Sequence, residues 1–100
     1  MEEGILEFDG EIWLSEGAGG WHFVTIPVDL VDEIRDRSAG NPKPFGMAPV
    51  EVTVGESTWK TSLFADTKRD SYLLPLKAEI RRRERLEAGD EVRVRIDGDW

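Results

Sequence analysis

The chain has 100 residues, no cysteine and a formal net charge of −8, from 21 acidic and 13 basic residues. This length fits one domain spanning residues 1–100. The lack of cysteine excludes disulfides, zinc–thiolate sites and thiol nucleophiles. The acidic balance disfavours non-specific nucleic-acid binding, because the chain repels phosphate.

The first residues, MEEGILEF, contain no basic segment followed by an apolar core, so no signal peptide is predicted. No apolar run approaches the length of a membrane span. We therefore expect a cytoplasmic protein that does not interact with membranes.

The first predicted element is a strand over residues 4–14, in which apolar and acidic residues alternate. Gly10 interrupts the apolar row, which predicts a bulge or a sharp bend at a barrel corner. Trp13 falls on the acidic face, so part of that face is expected to be covered. The following SEGAGG segment lacks a phosphate-loop pattern and is interpreted as a connection.

A second strand is predicted over residues 21–26, with apolar groups on both faces. Pro27 and a helix with a buried apolar stripe follow, and the helix ends in the SAGNPKP loop at residues 38–44. Acidic residues near this helix lack the aspartate-rich pattern of a calcium loop, so no metal site is predicted: Asp29, Asp32, Glu33 and Asp36.

Two further strands, residues 50–54 and 57–64, flank the two-residue turn Gly55–Glu56, whose leading glycine favours a type II′ hairpin. Residues 65–70 are predicted to form a polar turn. A fifth strand is predicted at residues 72–74, with Pro75 at the first position of a second helix and Gly89 at its left-handed stop. The alternating residues 91–97 are predicted to form the last strand.

The order strand, proline, helix, glycine, strand occurs twice, with Gly40 as the stop of the first helix. Two such units can close a barrel about a pseudo-two-fold axis, with one helix at each open end. We predict a mainly β fold: a small closed barrel of six to seven strands with a pseudo-two-fold repeat, capped by two short α-helices.

Four segments carry a resemblance to a known family: GWHFVTIP, FGMAPVEVTVGESTWKTSLF, YLLPLKAEIR and GDEVRV. Their order and spacing resemble the bacterial family called domain of unknown function 1905, over nearly the whole chain. The resemblance implies a double-split β-barrel, distantly like AbrB and MazE transcription factors but built from a single chain. A monomer is therefore expected rather than an obligate dimer. The family has no assigned activity, so the resemblance implies no catalytic residue.

The candidate ligand-binding residues are a basic group, Lys77, Arg81 and Arg69, and three ring-bearing residues, Trp21, His22 and Trp59. Lys77, Arg81 and Arg85 share one helix stripe, and Lys68 lies beside Arg69 in the preceding turn. The structural interpretation of the stripe is a solvated face paired with Glu79, Glu84 and Glu87, with Glu79 and Arg83 as an i,i+4 pair. This structural interpretation is favoured over a ligand-binding role for Arg82, Arg83 and Arg85.

For the tryptophans, the structural interpretation places Trp21 and Trp59 in the core, while the functional one places them beside a binding pocket. Trp13 is a candidate pocket wall, and Trp100 is expected to be a loose end. His22, the single histidine, is interpreted as a hydrogen-bonded structural residue, with a base at the barrel mouth as the alternative.

The leading hypothesis is a non-catalytic module that binds a small anionic ligand or an acidic protein partner, with no cofactor. A nucleic-acid-binding protein is the first alternative, which rests on the AbrB-like fold alone. The second is a small enzyme that uses His22, for which a constellation with Ser62 and Asp66 can be written without any supporting motif.

Overall fold

The computed structural model describes residues 5–17, 19–38, 48–66, 68 and 70–98. The chain forms six strands and two helices in this order: β1 (Ile5–Leu14), β2 (His22–Thr25), α1 (Val28–Ser38), β3 (Ala48–Val54), β4 (Ser57–Asp66), β5 (Ser71–Pro75), α2 (Ala78–Glu84) and β6 (Glu91–Gly98). Within this described part of the chain, neither helix combines the length and the apolar character needed to cross a membrane.

The six strands close into a barrel in the order β1-β2-β5-β4-β3-β6, and every neighbouring pair is antiparallel. Closure gives each strand two neighbours and so leaves no open sheet edge. The predicted mainly β fold, with a closed barrel of six strands and two helices, is confirmed. The double-split arrangement and the internal repeat stay predictions.

The barrel interior is filled by the apolar residues that alternate along the strands. In β3, for example, Val50, Val52 and Val54 are buried, whereas Glu51 between them is exposed. Both helices add to this core, through Ile34 of α1 and Ile80 of α2. The period of two in the sequence therefore separates the interior from the solvent side.

Gly10 lies two residues before the point where β1 changes its pairing partner. The register with β6 is unbroken from Ile5 to Glu11, so no bulge interrupts it, and from Ile12 onward β1 pairs with β2 instead. Of the two predictions for this glycine, the corner agrees with the register and the bulge does not. A Cβ atom at Gly10 would lie 2.5 Å from Cγ1 of the buried Val24, which only glycine avoids.

The predicted start of the second helix is wrong. Pro75 is the last residue of β5, and the following Leu76 N–H still donates to the carbonyl of His22 at 2.9 Å. The extended backbone therefore continues past the proline, and α2 begins at Ala78 after an extended Lys77. The proline ring fixes one torsion angle and does not by itself start a helix.

The predicted helix stop is wrong as well, because Arg85 and not Gly89 takes the left-handed conformation that ends α2. Gly89 also has a positive φ of 97°, but it lies in the turn before β6, where its N–H donates to the carbonyl of Ile12 at 2.7 Å. The stop at Gly40 and the loose end at Trp100 lie outside the described residues.

The end of α2 is tied to the β3–β4 hairpin by one carboxylate. Ser57, which is almost fully buried, donates its hydroxyl hydrogen to Glu84 Oε2, and the backbone N–H of Glu56 donates to Oε1 at 3.3 Å. The sequence interpretation had assigned Glu84 to a solvated helix face. The contact fixes the helix against the barrel and so fixes the side chains that α2 presents.

We predict that Gly10→Ala destabilises the protein by about 1–3 kcal/mol, because the added methyl group overlaps the buried Val24. That cost exceeds the gain of about 0.4–1 kcal/mol expected from a stiffer unfolded chain. Urea unfolding measures the change, with Glu11→Ala at an exposed position of the same strand as a control within about 0.5 kcal/mol of the parent. An alanine variant as stable as the parent would refute the close packing at this corner.

Candidate ligand-binding site

A surface pocket of about 460 Å³ lies where the start of α2 meets β2 and β4. Its walls come from the turn before β2, from β4 and from the segment that joins β5 to α2. The lining residues are Gly19, Gly20, Trp21, His22, Trp59, Lys60, Thr61, Phe64, Pro75, Leu76, Lys77, Ala78 and Arg81. A volume of this size is typical of pockets for small molecules.

Five of the six predicted ligand-binding residues line this one pocket: Trp21, His22, Trp59, Lys77 and Arg81. They come from β2, β4 and α2 and from the residues flanking these elements, which are distant in the chain. The sixth, Arg69, lies outside the described residues. The structure brings the five together, and their role in ligand binding stays a prediction.

Arg81 is partly buried and is held by two uncharged acceptors. Its Nε–H donates to the carbonyl oxygen of Leu76 at 3.2 Å, and Nη1 lies 3.4 Å from Nε2 of His22. Among the residues that the structure describes, no carboxylate lies within ion-pair distance of the guanidinium. The side chain is thus fixed in direction while its charge is unpaired.

The His22 ring is oriented by hydrogen bonds at both nitrogens. Nδ1 lies 2.7 Å from the carbonyl oxygen of Gly20, and because a carbonyl can only accept, Nδ1 carries the proton. In the neutral ring Nε2 is then the acceptor and receives a hydrogen bond from Arg81. His22 therefore acts here as a support for the guanidinium.

The contacts of His22 do not assemble the enzyme constellation that the sequence allowed. Asp66 lies on the wall of a separate cavity of about 790 Å³, beside Trp13 and Lys68. Ser62 is absent from the described residues that line the pocket with His22.

Three cationic side chains line the pocket, Lys60, Lys77 and Arg81, and no aspartate or glutamate is among the lining residues that the structure describes. This separation is unusual in a chain with 21 acidic and 13 basic residues. Sequence reasoning missed Lys60, because it alternates with inward residues and resembles an ordinary exposed strand position. Its position directly after Trp59 was the available signal.

The remaining basic residues of the predicted cluster lie elsewhere. Lys68, which had been expected to join it, lines the cavity beside Trp13 instead. Arg83 forms the predicted ion pair with Glu79 at 2.8 Å. Arg85 ends α2 and is not among the lining residues. The helix stripe thus divides after Arg81 into pocket-facing and solvent-facing parts.

The three described tryptophans occupy different environments. Trp59 is buried, as predicted, whereas the core prediction for Trp21 is wrong, since 58% of its surface is exposed. The reason is that β2 begins one residue later, which leaves Trp21 in the preceding turn. Trp13 is partly buried on the barrel exterior, where its Nε1–H donates to Thr25 and its ring packs on Phe23.

Comparison with protein families matches residues 8–96 to the model of a domain of unknown function, DUF1905. The chain belongs to the DUF1905 family. This confirms the resemblance found in the four sequence segments, while a bacterial origin and an AbrB-like fold stay predictions. Comparison with curated proteins finds none that matches.

The acidic face of β1 in this DUF1905 domain is neutralised by arginines of β6. Arg93 contacts Glu7 at 3.0 Å and Asp9 at 3.4 Å, and the hydrogen bonds that its guanidinium donates to these carboxylates, Glu7 foremost, raise the pKa of Arg93 above its ordinary value. These arginines are thus engaged by acids.

In the described ranges of the chain, no group of three or more acidic or histidine side chains is arranged to hold a metal ion.

We predict that the neutral His22 ring carries its proton on Nδ1, because the Gly20 carbonyl faces that nitrogen at 2.7 Å. Long-range ¹H–¹⁵N correlation spectra at a pH where the ring is neutral distinguish the two tautomers. Free histidine, added to the same sample, provides the reference spectrum. Detection of the Nε2–H tautomer would contradict the proposed support of Arg81.

Proposed function

We propose that this DUF1905 domain is a non-catalytic binding module for a small anionic ligand, held in the pocket between β2, β4 and α2. The observation that carries the proposal is the charge of the pocket lining. Lys60, Lys77 and Arg81 face it, and no acidic residue accompanies them among the described lining residues. An anion would supply the charge that the pocket itself lacks.

Pre-organisation supports the role of Arg81 in particular. Its guanidinium is already oriented by Leu76 and His22, so little side-chain freedom remains to be lost when an anion binds. The net charge of −8 does not prevent this. At physiological ionic strength, charges more than about 8 Å away are largely screened, whereas a bound anion would contact the cations directly.

We also propose that the barrel is double-split and consists of two related halves, β1–β2–α1–β3 and β4–β5–α2–β6. The strand registers support this, because the pair Trp13–Phe23 between β1 and β2 has its counterpart in the pair Phe64–Leu73 between β4 and β5. The hydrogen bond from Leu76 N–H to His22 is likewise matched by one from Ile26 N–H to Tyr72, both at 2.9 Å.

Comparing the two proposed halves shows which pocket residues the fold itself does not require. The backbone bond from Leu30 to Pro27 matches that from Ile80 to Lys77, so α1 and α2 align in their first turns. The counterpart of Arg81 is then Val31, which is buried and apolar. The same place in the other half needs no cation, which supports a ligand as the reason for Arg81.

The size of the pocket favours a small ligand over an acidic protein segment. A cavity of about 460 Å³ encloses a molecule of one or two rings, whereas a protein segment would need an extended groove. The cations Lys60 and Lys77 are exposed at its rim and Arg81 is partly buried. An anionic group at Arg81 would thus be the more deeply placed end of the ligand.

We predict that the double variant Lys77→Glu/Arg81→Glu binds inorganic phosphate at least about tenfold more weakly than the parent, because two attractive charges become repulsive. Isothermal titration at fixed ionic strength measures the change. The matched control is Arg82→Glu/Arg85→Glu, which changes the net charge equally at exposed positions of α2 or its end.

The control is expected to change phosphate affinity by less than about twofold, since surface charges off the site act weakly through screened solvent. Circular dichroism establishes that both variants remain folded. If both double variants lose the same phosphate affinity, the change in net charge alone explains the loss, and the pocket is refuted as the binding site. Absence of phosphate binding to the parent protein at millimolar concentration would refute the proposal as well.

A further inference from the structure

Resting on the proposed function, we infer that the ligand of this pocket is a planar aromatic anion, whose ring stacks on Trp21 while its acidic group contacts Arg81. The inference comes from the aromatic side chains of the pocket, which anion binding alone does not explain. They are Trp21 in the turn before β2 and Trp59 and Phe64 in β4.

Trp21 is the most informative of these, because it leaves 58% of a large apolar surface exposed although it lies on a pocket wall. Exposed apolar area of this size is unfavourable in water by about 25 cal/mol for each Å². A cation-lined pocket does not need an indole ring for binding a simple anion. A ligand that covers the ring would recover that free energy.

The Trp21 ring is also held in place. A Cβ atom at Gly19 would lie 3.2 Å from both Cδ1 and Nε1 of the indole, so the backbone of Gly19 packs closely against its five-membered ring. The Phe23 ring lies nearly parallel to it, at an interplanar angle of 9° and a centroid distance of 6.2 Å. These neighbours restrict the indole without covering it, and a restricted ring provides a stacking surface at low entropic cost.

Phe64 continues the aromatic wall from β4, with 39% of its surface exposed. The exposed rings therefore lie at the outer part of the pocket and the partly buried Arg81 lies further in. This arrangement matches a ligand with two ends, an acidic one that enters first and a flat apolar one that remains near Trp21. Indole faces favour flat π systems over saturated rings of similar size.

Two classes of molecule share this chemistry, aromatic carboxylates and nucleoside monophosphates, and the cations of the pocket suit both acidic groups. The first arm of the test compares 2-naphthoate with decahydronaphthalene-2-carboxylate, which has the same carbon skeleton and charge but no π system. The second compares adenosine monophosphate with ribose 5-phosphate. Titration calorimetry with the full chain gives each affinity.

We expect the aromatic member of at least one pair to bind about fivefold to tenfold more tightly than its partner. In Trp21→Leu this preference is expected to fall to less than about twofold, whereas the affinity for inorganic phosphate stays within twofold of the parent. The variant changes an exposed side chain, and its unchanged phosphate binding would verify that the pocket is intact. A preference confined to the second pair would identify the acidic group as a phosphate.

Equal affinities within both pairs would overturn the inference, as would an aromatic preference that survives in Trp21→Leu. In either case retained phosphate binding, still sensitive to Lys77→Glu/Arg81→Glu, would leave the anion-binding proposal standing. If no anion binds the parent protein, the proposed function fails and the inference fails with it.

Discussion

The antiparallel pairing of β2 with β5 is the constraint on which the pocket depends. Phe23 lies opposite Pro75, and beyond this pair the N–H of Leu76 donates to the carbonyl of His22 at 2.9 Å. That bond holds the start of β2 against the segment that leads into α2. Because of it, the His22 ring reaches the guanidinium of Arg81, which is distant in the chain.

Several arginines elsewhere in the described structure form ion pairs with carboxylates, whereas Arg81 in the pocket does not. Arg35 donates a hydrogen bond to Asp70, which raises the pKa of Arg35, and Arg93 lies between two acids of β1. Arg81 is instead held by a carbonyl oxygen and an imidazole nitrogen. In an acidic chain, neutral supports of this kind keep a positive charge available for an external anion.

The sequence predicted the strands, because the alternation of apolar and polar residues is a local signal. It also predicted the closed barrel, because several short strands with one apolar face each can bury those faces and pair all their edges by closing. It did not predict how helices begin and end: Pro75 remains extended because β2 pairs beyond it, and Arg85 takes a conformation usually left to glycine. The same limit applies to the site. Lys60 reaches the pocket only through the packing of β4 beside α2, which no local pattern encodes.

If Arg81 and Trp21 form one binding site, both side chains respond to the same ligand, and an NMR titration detects each of them. ¹H–¹⁵N spectra recorded during addition of 2-naphthoate report on the Trp21 indole N–H and the Arg81 Nε–H separately. Both signals are expected to shift together, with a single dissociation constant and the largest changes in the spectrum. Shifts concentrated at Arg93 on the β1–β6 face, or spread evenly over the surface cations, would contradict it.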